Sequence, residues 1–226
     1  MKTLFLSLML LTSFAAKAQL VVYKDTARAK QLYIGANALV IGYDLKYSQQ
    51  PKGGNIQPYA SMYMGYKLNK RVRLQTGIWY GTDNQDWSYT YVESEDNLIH
   101  YNETSKTRGV GVPITMEYML FYPLKRLQFY GTGMFTPMYS TTQAAKTEQE
   151  GGIETVIYNE KTSGLNAYLT GGFGLGYNIN SRLDAYFNYY MISRSFRRKL
   201  APRDEYPYPG SLAIGLNYNL NLKREK

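Results

Sequence analysis

Eight charged residues share the inward side of an alternating chain: Asp44, Lys46, Lys67, Arg73, Asp83, Glu117, Asp184 and Arg194. Trp79, Tyr59, Tyr63, Tyr186 and Tyr190 fall on the same side. Charges withdrawn from water persist only when paired or hydrogen-bonded. The set therefore predicts a salt-bridged, tyrosine-lined network, and the same groups in file could instead carry a proton or a small ion. A second cluster is basic: Arg194, Arg197, Arg198, Lys199 and Arg203, beside Pro202-Arg203-Asp204-Glu205-Tyr206-Pro207. Guanidinium groups pair well with phosphate, so these residues could clamp lipopolysaccharide phosphates at a membrane rim. A solvated charged loop explains the same composition.

Little in the chain assembles a catalyst. His100 is the only histidine, and its neighbours Ile99, Tyr101 and Asn102 put no serine beside it, as a Ser–His nucleophile would need. Asp83 and Asp86 approach the same end, but nothing places a nucleophilic water between them. No Gly-rich phosphate loop and no metal-ligand spacing occur, and cysteine is absent. The expectation is a non-enzyme without cofactor, a lipid A-modifying barrel enzyme being the alternative.

The elements that must position these residues are strands. From Gly210 to Lys223 the chain alternates without a break, with Leu212, Ile214, Leu216, Tyr218, Leu220 and Leu222 on one face. Ser211, Ala213, Gly215, Asn217, Asn219 and Asn221 take the other. Successive side chains of a strand point to opposite faces, and a large-aliphatic face backed by Gly and Asn suits a lipid-facing barrel strand. Three short turns, at 68–71, 122–126 and 178–182, alternate with longer polar connections at 49–55, 93–97, 143–164 and 198–209. Eight strands follow, with the short turns and both termini on the periplasmic side.

The outward faces read Leu39, Ile41, Tyr43, Leu45 and Tyr47 in strand 1, and Ala60, Met62, Met64, Tyr66 and Leu68 in strand 2. Strand 3 shows Val72 to Tyr80 at alternate positions, strand 4 Val110 to Leu120, strand 6 Ala167 to Tyr177 and strand 7 Leu183 to Met191. In strand 5 (127–142), Phe129, Gly131, Gly133 and Phe135 compete with Tyr130, Thr132 and Met134, and the register stays open. A lipocalin-like soluble barrel would reverse inside and outside. Its water face would then be Gly, Thr, Ser and Asn with almost none of the Lys and Glu that soluble surfaces carry.

Composition agrees. There are 24 Tyr among 226 residues, and barrels use this ring-plus-hydroxyl side chain in interfacial girdles. Lys2, the apolar run 4–16 and Ala16-Lys17-Ala18 predict a signal peptide over residues 1–18, cleaved between Ala18 and Gln19. Its removal takes away Lys2 and Lys17, so the net charge falls from +9 to +7. A short periplasmic segment over 19–31 and a barrel over 32–226 complete the organisation. The mean hydropathy of −0.41 is compatible with a membrane barrel, since only alternate residues face lipid.

Two hairpins extend beyond the span of roughly 9–11 residues that a membrane strand needs. One runs through Trp87, Tyr89 and Tyr91, turns at 94–97 and returns through Ile99, Tyr101 and Glu103. The other runs over 141–150 and 153–159 around Gly151-Gly152. They predict a sheet raised above the outer leaflet, whose edges could pair with a protein partner or whose loops could merely shield the barrel.

The segment Gly109-Val110-Gly111-Val112-Pro113-Ile114-Thr115-Met116-Glu117-Tyr118, within this signal-plus-eight-strand plan, resembles the PorT-like outer-membrane β-barrel family. That family relates in architecture to OmpA/OmpX-type small barrels. Its "xxIPLxxxY" strand is matched by Val112-Pro113-Ile114 and Tyr118. The chain departs from such barrels by ending Leu222-Lys223-Arg224-Glu225-Lys226, not on an aromatic residue. The resemblance implies an integral bacterial outer-membrane barrel that assists an export system. The residues themselves imply a plugged lumen with a structural or partner-binding role, or else a narrow small-solute channel. Nucleic acid is not an expected partner for an exported membrane protein.

Overall fold

The computed structural model describes residues 31–45, 54–94, 97–196 and 211–220. The signal peptide with Ala18 and Gln19, the 19–30 segment, Lys46, and the basic residues Arg197, Arg198, Lys199 and Arg203 lie outside the described residues. The described chain is strand throughout: β1 (Gln31–Val40), β2 (Tyr43–Leu45), β3 (Gly54–Lys67), β4 (Val72–Ser94), β5 (Asn97–Gly111), β6 (Ile114–Leu124), β7 (Leu127–Glu150), β8 (Ile153–Asn178), β9 (Leu183–Ser195) and β10 (Ser211–Asn219).

Every pairing is antiparallel, and the pairings close a ring. β1 pairs with both β10 and β3, β3 with β4, and β4 with β5 and β6; both of those pair with β7, and β8, β9 and β10 return to β1. The ten strands make eight passes, because two passes are interrupted. One break falls at Ile41-Gly42 and the other at Val112-Pro113. Proline has no amide to donate to a ladder. The ring holds across that second break because Gly77 N donates to Pro113 O at 3.1 Å and Val112 N to Pro137 O at 3.0 Å. The fold is the expected eight-pass up-and-down antiparallel barrel of the transmembrane type, with an apolar outer band that includes Ile34, Met62, Ile78, Met116, Leu169 and Ile214.

Two of the short turns are built alike. Asn69 Oδ1 accepts from the amides of Arg71 and Val72 at 2.7 and 2.8 Å. Asn180 Oδ1 accepts from Arg182 and Leu183 at 2.8 and 2.9 Å. Such Asx turns stand in for a backbone turn and suit Asn. Each orients an arginine toward a tyrosine of a neighbouring strand, Arg71 to Tyr118 and Arg182 to Tyr218, both at 3.5 Å.

The structure reverses strand 1. Leu39, Ile41, Tyr43 and Leu45 are buried inside, and Leu32, Ile34, Ala36, Ala38 and Val40 face out. Aliphatic character misleads here because the interior is itself apolar at this level, where these four pack with Ile56, Trp79, Met134, Met138, Tyr168 and Tyr190. Two β-bulges produce further corrections, since one extra residue turns everything beyond it to the other face. The bulge between Pro58 and Ser61 places Tyr59 outside, 64% exposed. The bulge in β9 opposite Gly171-Gly172 turns Arg194 outward, where it is exposed. The open register of β7 resolves with Tyr130, Thr132 and Met134 inside and Phe129, Gly131, Gly133 and Phe135 on the outer side.

Candidate functional site

The interior is a column of side chains in two zones. Near the turn end, Lys67 Nζ lies 3.2 Å from Asp184 Oδ2, which also accepts from Asn219 Nδ2 at 3.0 Å. Arg73 Nη1 stands 3.8 Å from Glu117 Oε2, and its Nη2 donates to Gln128 Oε1 at 2.5 Å. Register explains the pair: Arg73 and Glu117 are direct cross-strand partners on β4 and β6. Of the eight charges expected in the lumen, the structure brings these four together. Asp83 keeps the inward side of β4 opposite Thr107, well beyond the four. Asp44 does not face the lumen, because Tyr43 and Leu45 on either side of it are the buried residues.

Above the charges lies a polar aromatic layer. Tyr33 OH donates to Gln75 Oε1 at 3.2 Å, Tyr63 OH to Asn217 Oδ1 at 2.6 Å and Tyr130 OH to Asn188 Oδ1 at 2.7 Å. Tyr63 meets Tyr33 and Tyr186 edge to face, with ring centroids 6.5 and 6.3 Å apart. Higher still, Tyr43 stacks on Trp79 at 5.6 Å and leans on Tyr168 at 4.9 Å, inside the apolar cluster that β1 and β2 supply. A cavity of about 20 Å³ lies between the two layers, roughly the space of one water.

Glycines make room for the rings. Gly35 opposes Tyr63, Gly65 opposes Tyr33, Gly111 opposes Trp79, Gly174 opposes Tyr130 and Gly215 opposes Tyr186, each as a registered cross-strand partner. In each case a Cβ on the glycine would fall on the partner's ring. Aromatic side chains lying over cross-strand glycines are a known way to pin register. Sequence reading missed Tyr33 and Tyr43 as interior residues and left Tyr130 open. Inward Gly and inward Tyr on adjacent strands were the available signal, but it needs the register before it can be read.

At the other end β4, β5, β7 and β8 run on as a raised four-stranded sheet. β3 pairs with β4 only as far as Thr82, and β9 reaches β8 only as far as Tyr168. The Gly151-Gly152 turn between β7 and β8 has φ of 56° and 84°, a left-handed backbone that glycine adopts without steric cost. One face of this sheet continues the lumen side and is aromatic. Tyr89 stacks on Tyr101 at 5.1 Å, and Lys146 lies over the Tyr101 ring at 4.3 Å and donates to Tyr89 OH at 2.9 Å. That hydrogen bond raises the pKa of the Lys146 ammonium above its ordinary value. Tyr158 OH donates to Glu103 Oε1 at 2.7 Å on the same face. His100 is on the opposite face, its Nδ1 2.8 Å from Thr90 Oγ1. Among the described residues no group of His, Asp and Glu could hold a metal ion.

No family model and no curated protein matches the chain. Solved structures do. Ail, the attachment invasion locus protein of Yersinia pestis, is 14% identical, over 84% of this chain and 97% of its own, with a TM-score of 0.33. A second Ail structure holds the heparin analogue sucrose octasulfate. The N-terminal β-barrel domain of Pseudomonas aeruginosa OprF is 14% identical over 85% and 98%, with a TM-score of 0.36. A major outer membrane protein from Thermus thermophilus is 12% identical over 85% and 100%, with a TM-score of 0.40. These are small outer-membrane β-barrel proteins.

Proposed function

We propose that the chain is an integral protein of the bacterial outer membrane, exported on residues 1–18, with the short turns in the periplasm and the long hairpins outside the cell. Its lumen is plugged, and its role is structural or partner-binding, carried by the raised sheet. The observation that supports this reading is the set of side chains in the passage: two ion pairs, a tyrosine layer and an apolar cluster, with a cavity of about 20 Å³ between the layers. An eight-strand barrel is only wide enough for side chains to fill. Arg197, Arg198, Lys199 and Arg203 follow β9 in sequence, and their cationic groups suit contacts with lipopolysaccharide phosphates.

The test is to refold the mature protein into lipid and compare unheated with boiled samples on a denaturing gel, then measure planar-bilayer conductance. A heat-dependent shift with no conductance is expected. Steady conductance that changes in Glu117→Gln or Arg73→Gln would replace this reading with a narrow channel. A protein without a heat shift, soluble in the periplasm, would overturn the membrane reading altogether.

A further inference from the structure

The raised sheet has two chemically different faces. On the lumen-side face, Trp87, Tyr89 and Tyr91 stand at alternate positions of β4, with exposures of 53%, 47% and 57%. Alternate positions on a strand are about 6.6–6.8 Å apart, so the three rings form a row along a strand whose far edge is unpaired by β3 beyond Thr82. Register brings Glu103, Glu148, Glu150 and Glu160 onto this same face, with Lys146 as its one basic residue among the described strands. The opposite face carries Lys106, Arg108 and Lys161 against Asp86 and Glu154. In sequence, residues 83–111 and 139–167 contain ten of the chain's 17 acidic residues and only four of its 26 basic ones. In sequence, a strongly basic protein thus concentrates its acids in the two stretches that supply this sheet's strands.

We infer that the lumen-side face of this sheet, with Trp87, Tyr89 and Tyr91 as its ring surface and Glu103 and Glu148 among its carboxylates, docks a cationic partner: a protein segment rich in Arg and Lys. The inference rests on the proposed placement of the hairpins outside the cell. The face already holds one cation in the required way, since Lys146 sits over Tyr101 at 4.3 Å and over Tyr89 at 5.5 Å. Ring faces attract a cation by their quadrupole, Trp most strongly. The surrounding carboxylates add a field that draws positive side chains to the rings and repels polyanions. A neutral glycan could stack on the rings but would leave the carboxylate excess without a purpose.

The experiment uses the full mature protein in zwitterionic nanodiscs and a short fluorescein-labelled Arg/Ser peptide, followed by anisotropy. Trp87 emission provides a second readout, because the chain's other tryptophan, Trp79, is only 2% exposed. Saturable binding is expected, weakened by salt and reduced roughly tenfold in Trp87→Ala/Tyr91→Ala and in Glu103→Gln/Glu148→Gln. Asn102→Ala, on the opposite face, should bind as the parent does. Equal binding by all variants would place the peptide elsewhere and overturn the inference. So would a response of Trp87 to an uncharged oligosaccharide or to heparin in place of the peptide. Each variant is first checked for its heat-dependent gel shift, so absence of peptide binding with the shift intact overturns the docking face alone, and absence of the shift in the parent overturns the membrane reading.

Discussion

Arg73 and Glu117 occupy a site where neither charge is tolerable alone, their side chains being 12% and 6% exposed. Removing one partner leaves the other buried and uncompensated, which typically costs about 3–5 kcal/mol. Arg73→Ala is therefore expected to lower unfolding stability by about that amount in urea titrations of protein folded into vesicles. Arg73→Ala combined with Glu117→Gln should recover part of the loss, and an unaffected single mutant would remove the ion pair from the account of the lumen. The glycine notches make a second residue-level prediction. A Cβ at Gly174 would meet the Tyr130 ring and the Asn188 carboxamide, while one at Gly133 meets nothing within 4 Å. Gly174→Ala should cost about 1–3 kcal/mol by overpacking. Gly133→Ala should stay within about 0.5 kcal/mol, as outward-facing substitutions usually do.

Among the elements, β1 shows how an apolar pattern can point either way. Toward the hairpin end, the pass made by β1 and β2 packs Leu39, Ile41, Tyr43 and Leu45 into the lumen, while β1 nearer the turn end shows Leu32 and Ile34 to the outside. Side-chain period is two, so a single-residue error in phase inverts the whole strand. The protein has no cysteine, which makes the phase directly measurable. Single cysteines at Ile34, Ala36 and Ala38, labelled with an environment-sensitive fluorophore, should be quenched by nitroxide lipids. Cysteines at Asn37 and Leu39 should not be. Quenching of the odd set would restore the opposite phase. The bulges in β3 and β9 act in the same way at the hairpin end, where they move Tyr59 and Arg194 from the interior to the outer surface.

The whole molecule divides at the level where β3 and β9 leave their partners. Among the described residues, every strand below it is paired on both sides, and above it β4, β5, β7 and β8 pair only with one another. Trp87 and Glu103 are registered partners, as are Lys146 and Tyr158. Replacing residues 88–102 and 147–157 each with Asn-Gly would therefore close the hairpins with two-residue turns. The shortened protein should still show the heat-dependent gel shift, because no ring-closing pairing is lost. Disappearance of the shift would mean that the raised sheet helps the barrel form. The same division separates charge, with an acidic projection on a basic remainder, which favours attraction of cationic partners to the projecting end.

Alternation alone determined the class of fold, the short turns and the inward sides of β4, β6, β8 and β10, because an apolar outer face and a mixed lumen face write themselves into every second residue. It placed Lys67, Arg73, Glu117 and Asp184 on the inside. Only the tertiary structure decided which of the inward charges meet, since Lys67 and Asp184 are 117 positions apart and their contact depends on ring closure and strand register. It alone decided the phase of β1, because Leu39 and Ile41 satisfy an apolar lumen as well as they would satisfy lipid. It also decided the fate of Tyr59 and Arg194. A bulge is one extra residue with no compositional mark of its own, and its effect on side-chain direction becomes visible only when the neighbouring strand is in place.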